Sequence, residues 1–297
     1  LYGRTPRGII IAMDSDRAAR MFDESKNPPP RNRLDRFIRQ FRYPAYFIAL
    51  IVLYTVASTA IGLALAPALW FLSHWVPWTA SFPGWLRWPL LGTGLGLSFF
   101  LSGFSLLIVI PIYNWFLPTR IRPFKGTYFT LAALPWFLHN GLFYLVRYTF
   151  LQYVTLTPPG LWFLRAMGMK IGERAFINTY LISDPCMLTI GDDVVLGGSV
   201  RIFAHYGGGG KLVIAPTFVG NKATIGLNAT VMGDVWVGAG ATILPHSVLL
   251  PGSRVGDGET WGGVPARRIS REEMDRIKQE IQGISADDIT PKSQRVH

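Results

Sequence analysis

The chain has 297 residues, 49% of them hydrophobic and only 16% charged, whereas soluble domains average about a quarter charged residues; this balance excludes an ordinary soluble globule and a disordered protein. The net charge of +11 is uneven: residues 171–297 are close to neutral, the basic excess lies in the apolar first half, and no carboxylate occurs between Asp35 and Glu173. Basic charge spread through apolar sequence points to a membrane-lipid partner with an anionic surface and away from nucleic acid, and the single cysteine, Cys186, excludes an internal disulfide or a cysteine-only metal site.

Residues 1–43 hold ten Lys/Arg against five acids and read as a basic cytoplasmic segment, too charged for a signal peptide. The start at Leu1 suggests a processed or partial version of a longer protein. Asp14-Ser15-Asp16 has an Asp-x-Asp spacing, but two acids alone do not make a metal site, and no metal is expected. Leu34, Phe37, Ile38 and Phe41 fall at helical spacing with arginines between them, which predicts an amphipathic helix on the inner leaflet; a solvated basic linker is the plainer alternative.

Residues 44–118 predict two transmembrane α-helices. Ala45–Leu72 is 28 residues without a charge and Pro89–Pro118 is 30, each above the roughly 20 that span a bilayer core. Trp70, Trp75, Trp78, Trp85, Trp88 and Trp115 cluster near the ends, as an interfacial belt does. Arginines crowd before the first stretch and Arg120, Arg122 and Lys125 follow the second, so both ends are expected to face the cytoplasm.

Residues 119–168 read as a basic loop followed by amphipathic, interfacial or re-entrant helices. The stretch from Thr127 to Val146 is apolar enough to insert but contains Pro135, His139 and Asn140, and Arg147 follows. Polar groups at membrane depth usually face protein or a wet cavity, so His139, Asn140 and Arg147 are candidates for a substrate entrance; a purely structural pairing is the alternative.

From residue 213 the sequence has a period of six: Val213, Val219, Ile225, Val231, Val237, Ile243, Leu249, Val255 and Trp261 are all apolar. Neither the helical nor the strand period produces this, and hexads signal a parallel β-helix closing a triangular coil about every 18 residues. Earlier hexads occur at Ile171 and Ile177, then at Ile190, Leu196 and Ile202, with an interruption at 183–189. A second interruption, Phe203–Leu212, has four consecutive glycines and reads as a loop leaving the prism. Gly and Asn are expected to supply positive φ at the corners. The β-helix is assigned to 169–269 and a short C-terminal helix and tail to 270–297. Ser270-Arg271-Glu272-Glu273 has a capping-box pattern, Met274, Ile277 and Ile281 form one stripe, and Gly283 ends the helix.

Ile190-Gly-Asp-Asp-Val-Val, Asp234-Val-Trp-Val-Gly-Ala-Gly-Ala-Thr-Ile-Leu-Pro245 and Gly262-Gly-Val-Pro-Ala-Arg-Arg-Ile269 resemble the hexapeptide-repeat acyltransferases. That resemblance covers about a third of the chain. It implies a left-handed parallel β-helix, a homotrimer, and acyl transfer from CoA, most simply acetyl-CoA. A narrower resemblance joins the apolar segments to Phe163-Leu-Arg-Ala-Met-Gly-Met-Lys-Ile-Gly-Glu173 and is to the membrane-bound C-terminal region of poly-lysine-synthetase-like nonribosomal peptide synthetases.

Acyl transfer to a hydroxyl or amine needs a base for the acceptor proton, and histidine has the suitable pKa. His205, after Ile202-Phe-Ala, stands where the resemblance implies the catalytic histidine; His74, His139, His246 and His297 fit less well. The family's following Pro and polar loop are replaced here by Tyr206 and glycines. Asp184, Asp192 and Asp193 could orient His205 only if the coils bring them alongside, and turn roles are the preferred expectation for them. Arg267, Arg268, Lys222 and Lys211 are candidates for the CoA phosphates, with surface solubility as the alternative role. The expected protein is a multi-pass enzyme of the cell (inner) membrane, its β-helix in the cytoplasm, acting on a small-molecule or lipid-linked acceptor. A synthetase module using a carrier-protein thioester and a non-catalytic trimerising scaffold are the alternatives.

Overall fold

With no charge to solvate between Tyr43 and Leu86, the apolar half of the chain folds into long helices laid side by side. The computed structural model describes residues 32–208 and 211–276. Helix α1 (Arg33–Gln40) is capped by Asn32, whose side chain accepts the Asp35 N–H at 2.9 Å. Leu34, Phe37 and Phe41 are exposed on it. Asp35 is buried and accepts the Leu131 N–H at 3.0 Å, tying α1 to the segment before the third long element.

Helices α2 (Arg42–Thr79) and α3 (Gly84–Phe116) contain the two apolar stretches. At ~1.5 Å per residue they run to about 57 and 50 Å, and both are long and apolar enough to cross a membrane. They meet through small residues: Ala60 and Ala64, one turn apart on α2, pack in one core with Leu106, Leu107 and Ile110 of α3. Trp75 Nε1 donates to the Leu90 carbonyl at 2.9 Å and Tyr113 Oη to Thr59 Oγ1 at 3.1 Å. Large apolar side chains such as Ile51, Tyr54, Leu63, Trp70 and Leu95 are exposed on the outside.

The chain then forms strand β1 (Phe124–Thr127), helix α4 (Leu134–Arg147), a 3-10 turn at Leu151–Val154 and helix α5 (Pro158–Ala166). Helix α4 has 14 residues, about 21 Å, which is short of the ~30 Å hydrocarbon core. Its Leu142, Phe143 and Val146 join the core made by α2 and α3, and Phe143 stacks on Phe163 of α5 with centroids 5.7 Å apart. One continuous apolar core therefore runs from the long helices into the sheet-rich half.

That half is a stack of triangular coils whose three sides are parallel ladders. One side aligns Ile171, Ile190, Val219, Val237 and Val255. The next aligns Ile177, Leu196, Ile225, Ile243 and Trp261. The third aligns Ile182, Ile202, Val231 and Leu249. Apart from Ile171 and Trp261 at the two ends, each of these is at most 2% exposed, so the hexad apolar residue is the core residue.

The corners differ from expectation. Positive φ is taken by Arg174, Asp193, Ser199, Lys222, Asn228, Asp234 and His246 as well as by Gly240, Gly252 and Gly258. The glycine that follows the apolar position serves another purpose. A Cβ at Gly226 would lie 2.5 Å from Pro245 N and 2.8 Å from the Ile243 carbonyl oxygen of the next coil, so the stacking distance itself excludes a side chain there.

The described part of Phe203–Leu212 is mostly strand rather than loop. His205–Gly208 (β2) and Lys211–Ile214 (β3) form an antiparallel hairpin, and β1 adds to β3 to complete a three-stranded sheet. Val213, in phase with the hexads, belongs to this sheet rather than to a coil. Strand alternation decides the matter: Leu212 and Ile214 point together into a small core with Ala133, against Trp136 and Tyr128. At the C-terminal end Ser270 Oγ accepts the Glu273 N–H at 3.0 Å, as the capping pattern predicts. Asp14-Ser15-Asp16, Gly209, Gly210, Ile277, Ile281, Gly283 and His297 lie outside the described residues.

Candidate active site

His205 begins the hairpin where the chain leaves the second coil. Its side chain is a quarter exposed, and its Nδ1 donates to Asp184 Oδ2 at 2.6 Å. The two residues are 21 positions apart and meet because Ile182 bridges Ile202, one coil above another. The Trp136 ring stands edge-on to the imidazole at 5.0 Å between centroids, and the Phe203 ring lies at 5.6 Å. The imidazole is thus held on its Nδ1 side and between two rings. With Nδ1–H given to a carboxylate, neutral His205 keeps its lone pair on Nε2, the tautomer a general base needs.

Asp184 has no exposed side-chain surface and sits at φ +54°, just before Pro185. A buried carboxylate survives only if its lone pairs are filled, and here four donors fill them. Trp136 Nε1 and Asn140 Nδ2 donate to Oδ1 at 2.8 and 2.7 Å, and the Ala204 N–H and His205 Nδ1 donate to Oδ2 at 3.0 and 2.6 Å. Burial alone pushes this carboxyl up, but the bond and charge of His205, with the donors Asn140 and Ala204, hold it below the usual carboxylate range. The coils thus bring Asp184 alongside His205, and it serves a turn as well: at φ +54° its carbonyl accepts the Met187 N–H at 2.8 Å. Asp192 and Asp193 do serve turns: Asp192 accepts the Glu173 N–H at 2.7 Å, and Asp193 pairs with Arg174 at 2.6 Å.

The three residues from the apolar segment lie on α4. Asn140 is 4% exposed and reaches Asp184; His139 is 1% exposed and donates from Nδ1 to Asn114 Oδ1 at 2.8 Å, its Nε2 buried without a partner. Arg147 is half-buried: Nη1 donates to Ser183 Oγ at 2.7 Å, and its guanidinium lies 5.2 and 5.0 Å from the Tyr144 and Tyr148 rings. Trp136 escaped the sequence reading, which gave this tryptophan no partner; a signal for it exists in the one-turn spacing from Trp136 to Asn140.

The four candidate phosphate-binding cations are spread over the prism. Lys211 starts β3, and Lys222 occupies a corner at φ +59°. Arg267 forks onto Glu273 at 2.7 and 3.2 Å, and Arg268 lies 3.2 Å from Glu259. All are exposed. Burial, then the nearby Asp184 charge, pushes the Cys186 thiol up to about 12, so it holds no thiolate at neutral pH. No His/Cys/Asp/Glu group able to hold a metal ion occurs among the described residues.

No family model matches the chain. Over 112 residues it is 32% identical to the Delta-poly-L-ornithine synthetase of Acinetobacter baumannii, covering 35% of this chain and 8% of that protein. It is 28% identical to YvoF, a candidate acetyltransferase of Bacillus subtilis, covering 39% of this chain and 70% of that one. Among solved structures it is similar to a galactoside acetyltransferase in complex with coenzyme A, with 22% identity and a TM-score of 0.35, over 43% of this chain and 80% of the other. The chain spans 8% and 54% of the first two curated relatives it matches. It resembles hexapeptide-repeat acetyltransferases in its sheet-rich half, and the long apolar helices precede that half.

Proposed function

We propose that the protein is a membrane-anchored acyltransferase that moves an acetyl or related acyl group from CoA to a hydroxyl or amine, with His205 as general base. The observation that carries this reading is the His205–Asp184 pair at 2.6 Å beside the imidazole's remaining exposed surface. Nε2 removes the acceptor's proton as its oxygen or nitrogen attacks the thioester carbonyl. Collapse of the tetrahedral intermediate breaks the C–S bond, and the CoA thiolate leaves with the proton that Nε2 returns. Asp184 keeps the imidazole in the required tautomer and balances its transient positive charge.

Helices α2 and α3 form the anchor, and the prism is a left-handed β-helix on the cytoplasmic side, where CoA is available, an orientation supported by the excess of Lys and Arg at the outer flanks. Helix α1 lies on the inner leaflet with Leu34, Phe37 and Phe41 towards lipid. Arg267, Arg268, Lys222 and Lys211 are exposed cations suited to the CoA phosphates, and Arg147 flanks the acceptor side. A second copy of the chain fits against Phe176 and Val195, exposed apolar neighbours on adjacent coils, in keeping with a trimer. One variation is a carrier-protein thioester as donor and an amine as acceptor.

Titrating acetyl-CoA into the full chain in lipid nanodiscs tests the donor. Saturable heat with a Kd tighter than about 1 mM is expected, weakened by Arg267→Ala with Arg268→Ala. Absence of binding by intact, folded protein overturns the CoA reading in favour of the carrier thioester or of a scaffold.

A further inference from the structure

Helix α4 presents one polar stripe, Trp136, Asn140, Tyr144 and Arg147, spaced by four, four and three residues, to two adjacent residues of the sheet-rich half. Trp136 and Asn140 bond Asp184, while Tyr144 and Arg147 bond Ser183 at 3.0 and 2.7 Å. The division of labour on Asp184 is complete: Oδ1 is held entirely by α4 and Oδ2 entirely by the coil and hairpin. The opposite face of α4 packs into the core of α2 and α3.

We propose that α4 is the arm through which the apolar helices position the Asp184–His205 pair, with Trp136 and Asn140 as positioning residues for proton transfer. The inference rests on the reading of His205 as base. Prism coils alone supply only half of the carboxylate's donors, so a prism without α4 leaves Oδ1 bare in a dry site. Such a carboxylate takes up a proton or turns away, and His205 then loses its tautomer and its aim. Acyl transfer is thereby tied to a correctly seated membrane half.

The sign of the pH effect follows. Donors on Oδ1 draw negative potential away from His205. Removing one while the other remains keeps the carboxylate charged but less screened, and the acidic limb of kcat/KM is expected to move up. The other ionisable groups around the pair are His139, Tyr144 and Arg147 on α4, Cys186 after Asp184, and Tyr206 on the hairpin with Asp234 and Arg254 beyond it. None of them changes in the variants below.

The test uses the full chain in nanodiscs and measures kcat/KM against pH for Trp136→Phe, which keeps a ring against His205 but removes Nε1–H, and for Asn140→Leu. Each is expected to lower kcat/KM about tenfold and to raise the acidic limb by about half a pH unit, in protein that is still folded. If His205→Ala is inactive while both variants keep the wild-type limb, the positioning role is overturned and the base reading stands. Loss of activity only in proportion to unfolded protein, with the limb unmoved, likewise overturns it. Full activity of His205→Ala overturns both readings.

Discussion

His205→Ala is expected to abolish most CoA-dependent turnover, lowering kcat by about 10²–10⁴-fold while leaving acetyl-CoA binding near wild type. The imidazole is partly exposed and contributes no coil-core contact, so little packing is lost. The cost to the fold is the bond from Nδ1 to Asp184, which leaves that buried carboxylate with three donors, together with the ring contacts to Trp136 and Phe203. The measurement is the release of free thiol from acetyl-CoA in the presence of acceptor-bearing membranes. Turnover within twofold of wild type would show that the proton leaves by another route.

The second large effect concerns stability. Ile225 is fully buried in the middle of its ladder, between Leu196 and Ile243. Ile225→Ala removes its outer carbons from a column that can close up only if whole coils shift, since backbone bonds such as Gly226 N–H to the Ile243 carbonyl, at 2.8 Å, set the spacing. A loss of about 2–5 kcal/mol is expected, a large share of the roughly 5–15 kcal/mol that keeps a domain folded. Chemical denaturation followed by circular dichroism reads it. Leu34→Ala, on the exposed face of α1, serves as the contrast and should leave the midpoint unchanged.

The coil core was legible in the sequence because each hexad buries the same position, so nearly every apolar residue in the register is a core residue. Val213 shows the limit of that signal: it shares the phase by accident, and only the pairing of β3 with both β2 and β1 reveals a hairpin sheet. The long helices were legible from Ala45–Leu72 and Pro89–Pro118, though α2 runs past its stretch at both ends while α3 starts before its own and stops short of its end. His205 was singled out by the resemblance, from its place after Ile202-Phe-Ala. Its partner was harder, because Asp184 lies a coil earlier, inside an interruption of the period, and one-dimensional spacing does not report which coils stack. Asn140 drew notice as a polar group among apolar ones, but its bonding to Asp184 depends on how α4 docks against the prism, a contact between distant segments with no periodic signature.

The claim on which the account depends is that CoA meets His205 on the imidazole's exposed side, beside the hairpin. A density map of the full chain in nanodiscs with bound CoA tests it most directly. The account predicts the CoA sulfur about 3–4 Å from His205 Nε2, with Nδ1 still on Asp184. CoA bound well away from this histidine, or the imidazole turned off Asp184 with that side filled by protein, would contradict it.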